Sequence, residues 1–310
     1  MVSRIREVWA DNLEVELVAL RNAIDSFPVV SITENVGEKK NITKKQNRLT
    51  GVSFMGWACL IGLLYNRDTE FPGIIARPMG NFKTGADYHY QTMRCNVDLL
   101  KLIQLGVTLS DEDGNLPDAC TWQFNFKFSL SEDMYAPDSI ELLEKSGIEF
   151  KLHEERGIDV EYLGELLTTS GLVLFEDVKW ISFHSGYDFG YLIKILTSLP
   201  LPATEEGFLE VLERWFPNIY DIKHIMRSCK TLKGGLQDVA DSLQVTRIGT
   251  QHQAGSDSLL TAATFFKMRK VFFEDKIEDE FYRNFLYGFG NARQREYNGT
   301  PRFLPALTTA

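Results

Sequence analysis

"KWISFHSGYDFGYLI", residues 179–193, opens on apolar, aromatic and β-branched residues and then changes period. "VKWISF" (178–183) has the length and residue types of a buried strand. "YDFGYLIKILTSL" follows with the apolar spacing of a helix. Asp188 therefore falls where the chain leaves a strand and enters a helix. A strand passing directly into a helix is the building step of a sheet covered by helices.

Working outward, the same succession recurs downstream. "EEGFLEVLERWF" reads as a helix, "NIYDIKHIMRSC" as strand then helix, and "GGLQDVADSL" as a helix opened by glycines. "SDSLLTAATFFKMRKVFF" is a long final helix with Asp257 in its first turn. Upstream, residues 3–26 place Ile5, Val8, Trp9, Leu13, Leu17, Leu20 and Ile24 at helical spacings, predicting one amphipathic helix. "FPVVS" (27–31) starts like a strand, with Pro28 at the junction. "CNVDLLKLIQLGVTLSD" predicts a strand or a helix–strand pair, and "DEDGN" a turn. "TWQFNFKFSL" alternates, with Trp122, Phe124, Phe126 and Phe128 on one face of a half-buried strand. Residues 138–170 are helical in pattern, broken at Gly147 and Gly157. Together these predict a mixed α/β sheet flanked by helices, with a polar, disordered tail from residue 289 to 310.

The bulk numbers agree with an ordinary globular chain, of a length that suits one large domain or two small ones. Its 310 residues are 44% hydrophobic and 25% charged, enough for a full core. The net charge of −10 argues against general electrostatic coating of nucleic acid. It leaves room for a nuclease whose acidic residues gather around bound metal ions. Cys59, Cys95, Cys120 and Cys229 form no CxxC pair, which argues against structural zinc and fits a reducing compartment. "MVSRIREVWADNLE" has no signal-peptide core, and the uncharged run 49–66 is too short and too polar for a membrane helix. These features predict a soluble intracellular protein.

Three segments carry candidate chemistry. In "YNRDTEFPG" (65–73), Asp68 and Glu70 stand two apart, on one face of any strand they occupy. Two carboxylates held that close repel unless a cation lies between them. Asp188 and Asp257 sit at helix starts, and His252 lies in a glycine-bearing loop five residues before Asp257. Four hard oxygen ligands suit Mg²⁺ or Mn²⁺. Two such ions roughly 4 Å apart clamp the attacking and leaving oxygens of a phosphodiester. His252 titrates near working pH and suits the deprotonation of water. Each piece also has a plain structural reading: a solvated strand-end pair for Asp68 and Glu70, a cap for Asp188, a backbone-bonded loop residue for His252, and first-turn charge for Asp257. Phosphate-loop, dinucleotide, G-x-S-x-G and H-E-x-x-H motifs are absent.

Asp-x-Glu, a central Asp, then His-x₄-Asp is the order found in the DEDDh exonuclease superfamily, which has an RNase H-like fold. "DTEFPG", "CNVDLLKLIQLG", "TWQFNFKF", "EDMYAPDSIELL", "VKWISFHSGYDFGYLIKIL", "LKGGLQDVA" and "QHQAGSDSLLT" resemble the CAF/Pop-type catalytic subunit of the CCR–NOT deadenylase complex. The resemblance covers residues 3–31 and 68–288 and implies one exonuclease domain over 1–288. It implies 3′-to-5′ removal of poly(A) with release of AMP and two divalent ions, Mg²⁺ or Mn²⁺. By match to the motif, Asp68, Glu70, Asp188 and Asp257 are the metal ligands and His252 is the general base. It further implies docking to the large scaffold subunit and to the leucine-rich-repeat nuclease subunit, and a place in cytoplasm and nucleus.

One departure stands out. In the family "FPVVS" is followed by one residue and then "DTEFPG"; here residues 32–67 intervene, with the basic run Lys39, Lys40, Lys44, Lys45 and Arg48. The favoured expectation is that "CLIGLLYN" (59–66) replaces "FPVVS" as the strand, the earlier segment bulging out, because it supplies the aliphatic residues of a central strand. Alternatively "FPVVS" keeps its slot, or the insert is translated intron. Three functions stay open: an active deadenylase, a weakened or inactive scaffold-binding subunit, and a DEDDh nuclease acting on DNA. Phe71, Tyr187 and Phe189 are candidates for base stacking, with core packing as the alternative, and Lys230 and Lys233 for phosphate contact, with surface solvation as theirs.

Overall fold

The structure, a computed structural model, describes residues 4–34 and 73–290. In chain order the elements are β1 (Ile5–Val8), α1 (Leu13–Ile24), β2 (Val29–Glu34), α2 (Gly85–Leu99), β3 (Gln104–Ser110), β4 (Thr121–Asn125), α3 (Pro137–Lys145), α4 (Phe150–Arg156), α5 (Val160–Thr168), β5 (Lys179–Ser182), α6 (Gly186–Thr197), α7 (Glu205–Trp215), β6 (Ile219–Asp221), α8 (Ile222–Ile225), a 3-10 turn at Met226–Ser228, α9 (Leu236–Ser242), α10 (Ala254–Phe272) and α11 (Asp279–Tyr282). The strands form one mixed sheet in the order β1-β4-β3-β2-β5-β6. β3 is antiparallel to both its neighbours, and the other pairs are parallel.

Both faces of the sheet are covered. Val8, Val30, Ile32, Val107 and Trp122 join one core cluster with α1, α2, α5, α6 and α7. Val29, Ile181 and Tyr220 join a second cluster with Phe265, Met268 and Phe272 of α10. The apolar residues of β2 and β5 are interrupted by the buried Ser31 and Ser182. Among the described residues no helix is long and apolar enough to cross a membrane.

Four expectations change. Residues 3–26 are not one helix: Ile5–Val8 pairs with Thr121–Phe124 as a parallel edge strand, and the helix begins at Leu13. An isolated periodicity cannot register that β4 offers Ile5–Val8 a backbone ladder. "TWQFN" is not half-buried: all five residues are enclosed, because α10 covers the polar side of β4 as well. The segment holding "FPVVS" does not bulge out. Val29–Glu34 is the central strand, pairing with β3 along its whole length and with β5 through Val29, Val30 and Ser31. Its own β-branched residues, Val29, Val30 and Ile32, fill both faces, so the slot needs no replacement. "CLIGLLYN", Asp68 and Glu70 lie outside the described residues, as does the basic run. Finally, the packed body reaches past residue 288. Phe289 is buried against Tyr90, Phe208 and His89, and of the tail only residues 291–310 lie outside the described part.

Candidate active site

Parallel β2 and β5 deliver their carboxyl ends to the same edge of the molecule, where ligands of α/β sheets gather. From β5 the chain turns through His184, whose φ of 59° is left-handed, into α6. Asp221, fully buried at the end of β6, fixes that turn. Its Oδ1 accepts the backbone N–H of His184 and of Lys223, and its Oδ2 that of Tyr287, all at 2.9 Å. Burial nevertheless outweighs these donors and pushes its carboxyl above the usual range. Asp188 lies in the first turn of α6 and is 6% exposed. The helix N-cap is Ser185, so Asp188 is not the cap. Its position suits a negative charge, since the helix dipole is positive there.

The second part of the site is the start of α10. His252 precedes it in a left-handed conformation, φ 65°, and is 7% exposed. Asp257 is in the first turn, 4% exposed. It does not cap the helix either; its Oδ1 is paired with Nη1 of Arg247, a guanidinium that also donates to Ser256 Oγ (3.1 Å) and, through Nε, to Gln237 Oε1 (2.7 Å). Burial pushes the Asp257 carboxyl up, against the pull of Arg247. Oδ2 of Asp257 is buried and has no hydrogen-bond partner among the described residues.

Sheet and helix approach closely here. Gly106 of β3 lies under the start of α10, where an added Cβ would meet the Ala254 carbonyl oxygen at 1.9 Å. Gly106 pairs with Thr33 of β2. Residues directly opposite in an antiparallel pair share a sheet face, so register position 33 of β2 is on the α10 side. Two residues back, Ser31 pairs with Thr108, whose Oγ1 lies 2.8 Å from Ser258 Oγ of α10. The end of β2 thus runs beneath the helical turn that carries Asp257.

Of the five predicted site residues, the structure brings Asp188, His252 and Asp257 to the helices bordering β2, all buried; Asp68 and Glu70 lie outside the described residues. Among the described residues no three His, Cys, Asp or Glu side chains converge closely enough to hold a cation. What the described residues do offer is two buried carboxylates, Asp188 and Asp257, the latter with an oxygen that has no hydrogen-bond partner among them, and carboxylate oxygen is the donor type that suits a hard divalent cation. The aromatic candidates among the described residues resolve as core. Phe189 packs on Trp180 and Phe216, and Tyr187 belongs to the main cluster. Phe71 lies outside the described residues. Lys230 and Lys233 are exposed. Arg247 and Asp221 carry no signal in the sequence that marks them as site residues. Neither sits in a motif, and each acts on residues that only folding brings near.

Comparison with known proteins places this geometry. Residues 170–265, which contain Asp188, His252 and Asp257, match the model of the CAF1 family ribonucleases. The poly(A) ribonuclease pop2 of Schizosaccharomyces pombe is 51% identical over 291 residues, covering 94% of this chain and 76% of that protein. A probable CCR4-associated factor 1 homologue (homolog 7) of Arabidopsis thaliana is 48% identical over 294 residues, covering 93% and 94%. The solved structure of S. pombe Pop2p in its Mg²⁺- and Mn²⁺-bound form is 50% identical, with a TM-score of 0.80 over 93% of this chain and all of that one. Yeast CAF1 crystallised with the NOT1 MIF4G domain has 30% identity and a TM-score of 0.67, covering 91% and 96%. The mixed sheet with its flanking helices is thus the RNase H-like fold of Pop2.

Proposed function

Because the chain belongs to the CAF1 family of ribonucleases, we propose that it shortens poly(A) tails from the 3′ end, releasing AMP. The observation that carries this reading is the burial of Asp188 and Asp257 in the first turns of two helices flanking β2, inside the stretch that matches the family. In this reading Asp68, Glu70, Asp188 and Asp257 hold two divalent ions, Mg²⁺ or Mn²⁺, and the packed body through Phe289 acts as one exonuclease domain. When bound, the ions supply charge neutralisation at the attacking and leaving oxygens. Asp188 and Asp257 are walled off from solvent. His252 accepts the proton of the attacking water. Arg247 sets the orientation of the Asp257 carboxylate. The chain docks on a NOT1-type scaffold and on the leucine-rich-repeat nuclease subunit of the same complex, and works in cytoplasm and nucleus.

A specific observation favours a second reading, in which this form is a weakened enzyme. β2 is filled by Val29–Glu34, and the residue at register position 33, opposite Gly106, is Thr33 and not a carboxylate. In a chain lacking residues 33–67, Asp68 would follow Ile32 directly and take register position 33, with Glu70 two residues on. Both chains are incubated with Mg²⁺ or Mn²⁺ and a 5′-labelled RNA ending in an A tail, beside a non-A tail and Asp188→Ala. Stepwise loss of the A tail by the full chain supports the active enzyme. Shortening only after removal of 33–67 supports the second reading. No shortening by either refutes the nuclease assignment.

A further inference from the structure

We propose that Gln123 and Gln253, with Gln104, Asn125 and Glu7, form a positioning network that holds the His252–Asp257 segment in place from the α10 face of β3 and β4. The proposal rests on the nuclease reading for its catalytic consequence. Its geometry stands on described residues alone.

α10 begins without a local cap. Its N-cap, Gln253, makes no capping side-chain bond, so its first N–H groups need partners from elsewhere. Two sheet residues supply them. Gln104 Oε1 accepts from Ala254 N at 3.3 Å, and Gln123 Oε1 from Gly255 N at 2.7 Å. The amide groups of these residues then lock to one another. Gln253 Oε1 accepts from Gln123 Nε2 (2.9 Å) and Gln104 Nε2 (3.2 Å), and Gln253 Nε2 donates to Ser146 O (2.9 Å). Gln123 Nε2 also donates to Glu7 Oε1 (3.0 Å), Gln104 Nε2 to Asn125 Oδ1 (2.8 Å), and Asn125 Nδ2 to Glu7 Oε2 (2.9 Å). Both hydrogens of each Gln104 and Gln123 amide are used, as is each side-chain oxygen. Gln104, Gln123 and Asn125 are at most 3% exposed. Buried amides in that state are rigid, because breaking any one bond strands a polar group in a low-dielectric interior.

The network meets a strained backbone. His252 holds a left-handed φ without being glycine, a strained conformation that persists only where neighbours over-determine it. The residue after it, Gln253, is tied to β3, β4 and the α3–α4 turn at once. The sheet therefore dictates where the histidine and the first turn of α10 stand. A loop pinned only by its own sequence could not hold a general base and a carboxylate to the sub-ångström tolerance that catalysis demands.

The test uses Gln123→Met, which keeps length and removes every bond, and Gln253→Met, a half-buried site where folding is safer. Backbone amide exchange at Ala254 and Gly255 is measured in the full chain. The kcat and KM for A-tail shortening are measured in the full chain, or in the chain lacking 33–67 if only that form is active. The network predicts at least ~10-fold faster exchange at Gly255 and a kcat loss of roughly 10- to 100-fold with KM within about 3-fold, the melting transition remaining cooperative. Unchanged exchange at Gly255 overturns the network whatever the activity. Faster exchange with unchanged kcat overturns its positioning role. If the unsubstituted chains fail to shorten any tail, the nuclease reading falls, and the exchange measurement still decides whether the amides hold this segment.

Discussion

Gly106→Ala is the smallest change that should displace the active-site helix. The added methyl would lie 1.9 Å from the carbonyl oxygen of Ala254, 2.3 Å from its carbon and 2.9 Å from the nitrogen of Gly255. All three are backbone atoms, so no side chain can swing aside. Carbon–carbon contact settles near ~3.5 Å, so the first turn of α10 must retreat by roughly 1.2 Å. Overpacking of this kind costs about 1–3 kcal/mol in stability. The larger effect falls on activity, because the same turn carries Asp257, and a displacement of about 1 Å costs about 100-fold. The assay is kcat for A-tail shortening beside a urea titration, in whichever of the full chain or the 33–67-deleted chain is active. A Gly106→Ala protein with activity within about 3-fold of the parent would refute the claim that this contact sets the position of Asp257.

The other predictions are independent of that contact. Asp188→Asn, which keeps the shape and removes the charge, should lower tail shortening by at least ~100-fold while leaving the urea midpoint nearly unchanged; a comparable rate would remove Asp188 from the site. Arg247→Met strands the buried Asp257 charge and should cost about 3–5 kcal/mol, whereas adding Asp257→Asn to it should restore most of that; additive losses in a double-mutant cycle would show the pair to be uncoupled. His224 is stacked on Phe285, and burial holds its pKa down at about 4 against an ordinary 6.5. The unfolded chain therefore takes up a proton that the folded one refuses, so this contribution is complete above pH 6.5 and is lost as pH falls towards 4. It amounts to about 3 kcal/mol, and His224→Gln should flatten the pH dependence of stability in that window by a similar amount, as read by urea titrations at about pH 7 and about pH 4.5.

Much of the fold follows from local pattern. The runs at 178–183 and 186–197 were legible as strand and helix because β-branched and aromatic residues are followed by apolar spacing of three and four. The break of 138–170 at Gly147 and Gly157 was legible for the same reason: glycine ends a helix cheaply, and at Gly147 the backbone is left-handed. β1 was not legible. Ile5 and Val8 fit a helical stripe as well as a strand, and the choice is made by β4, more than a hundred residues away. The same limit explains why "CLIGLLYN" was preferred to "FPVVS". Two apolar segments compete for one slot, and composition alone cannot weigh the ladder that Val29–Glu34 makes with β3 against an alternative.

The candidate site divides along the same line. The order of Asp68, Glu70, Asp188, His252 and Asp257 was set by the sequence itself, and it is the resemblance of that order to the family's motif, not spacing alone, that proposes them as ligands and base. Also set by the sequence was the placement of Asp188 and Asp257 at helix starts, which is local. The surroundings were decided by tertiary structure. Arg247 on Asp257, Asp221 on the turn before α6, Gly106 under Ala254 and the amides of Gln104 and Gln123 on the first N–H groups of α10 are all contacts between elements distant in the chain or without a shared motif. Hydrogen bonds and close packing act over a few ångströms of space and carry no signature along the chain, so only the folded sheet shows which polar residues are structural supports and which are left to act.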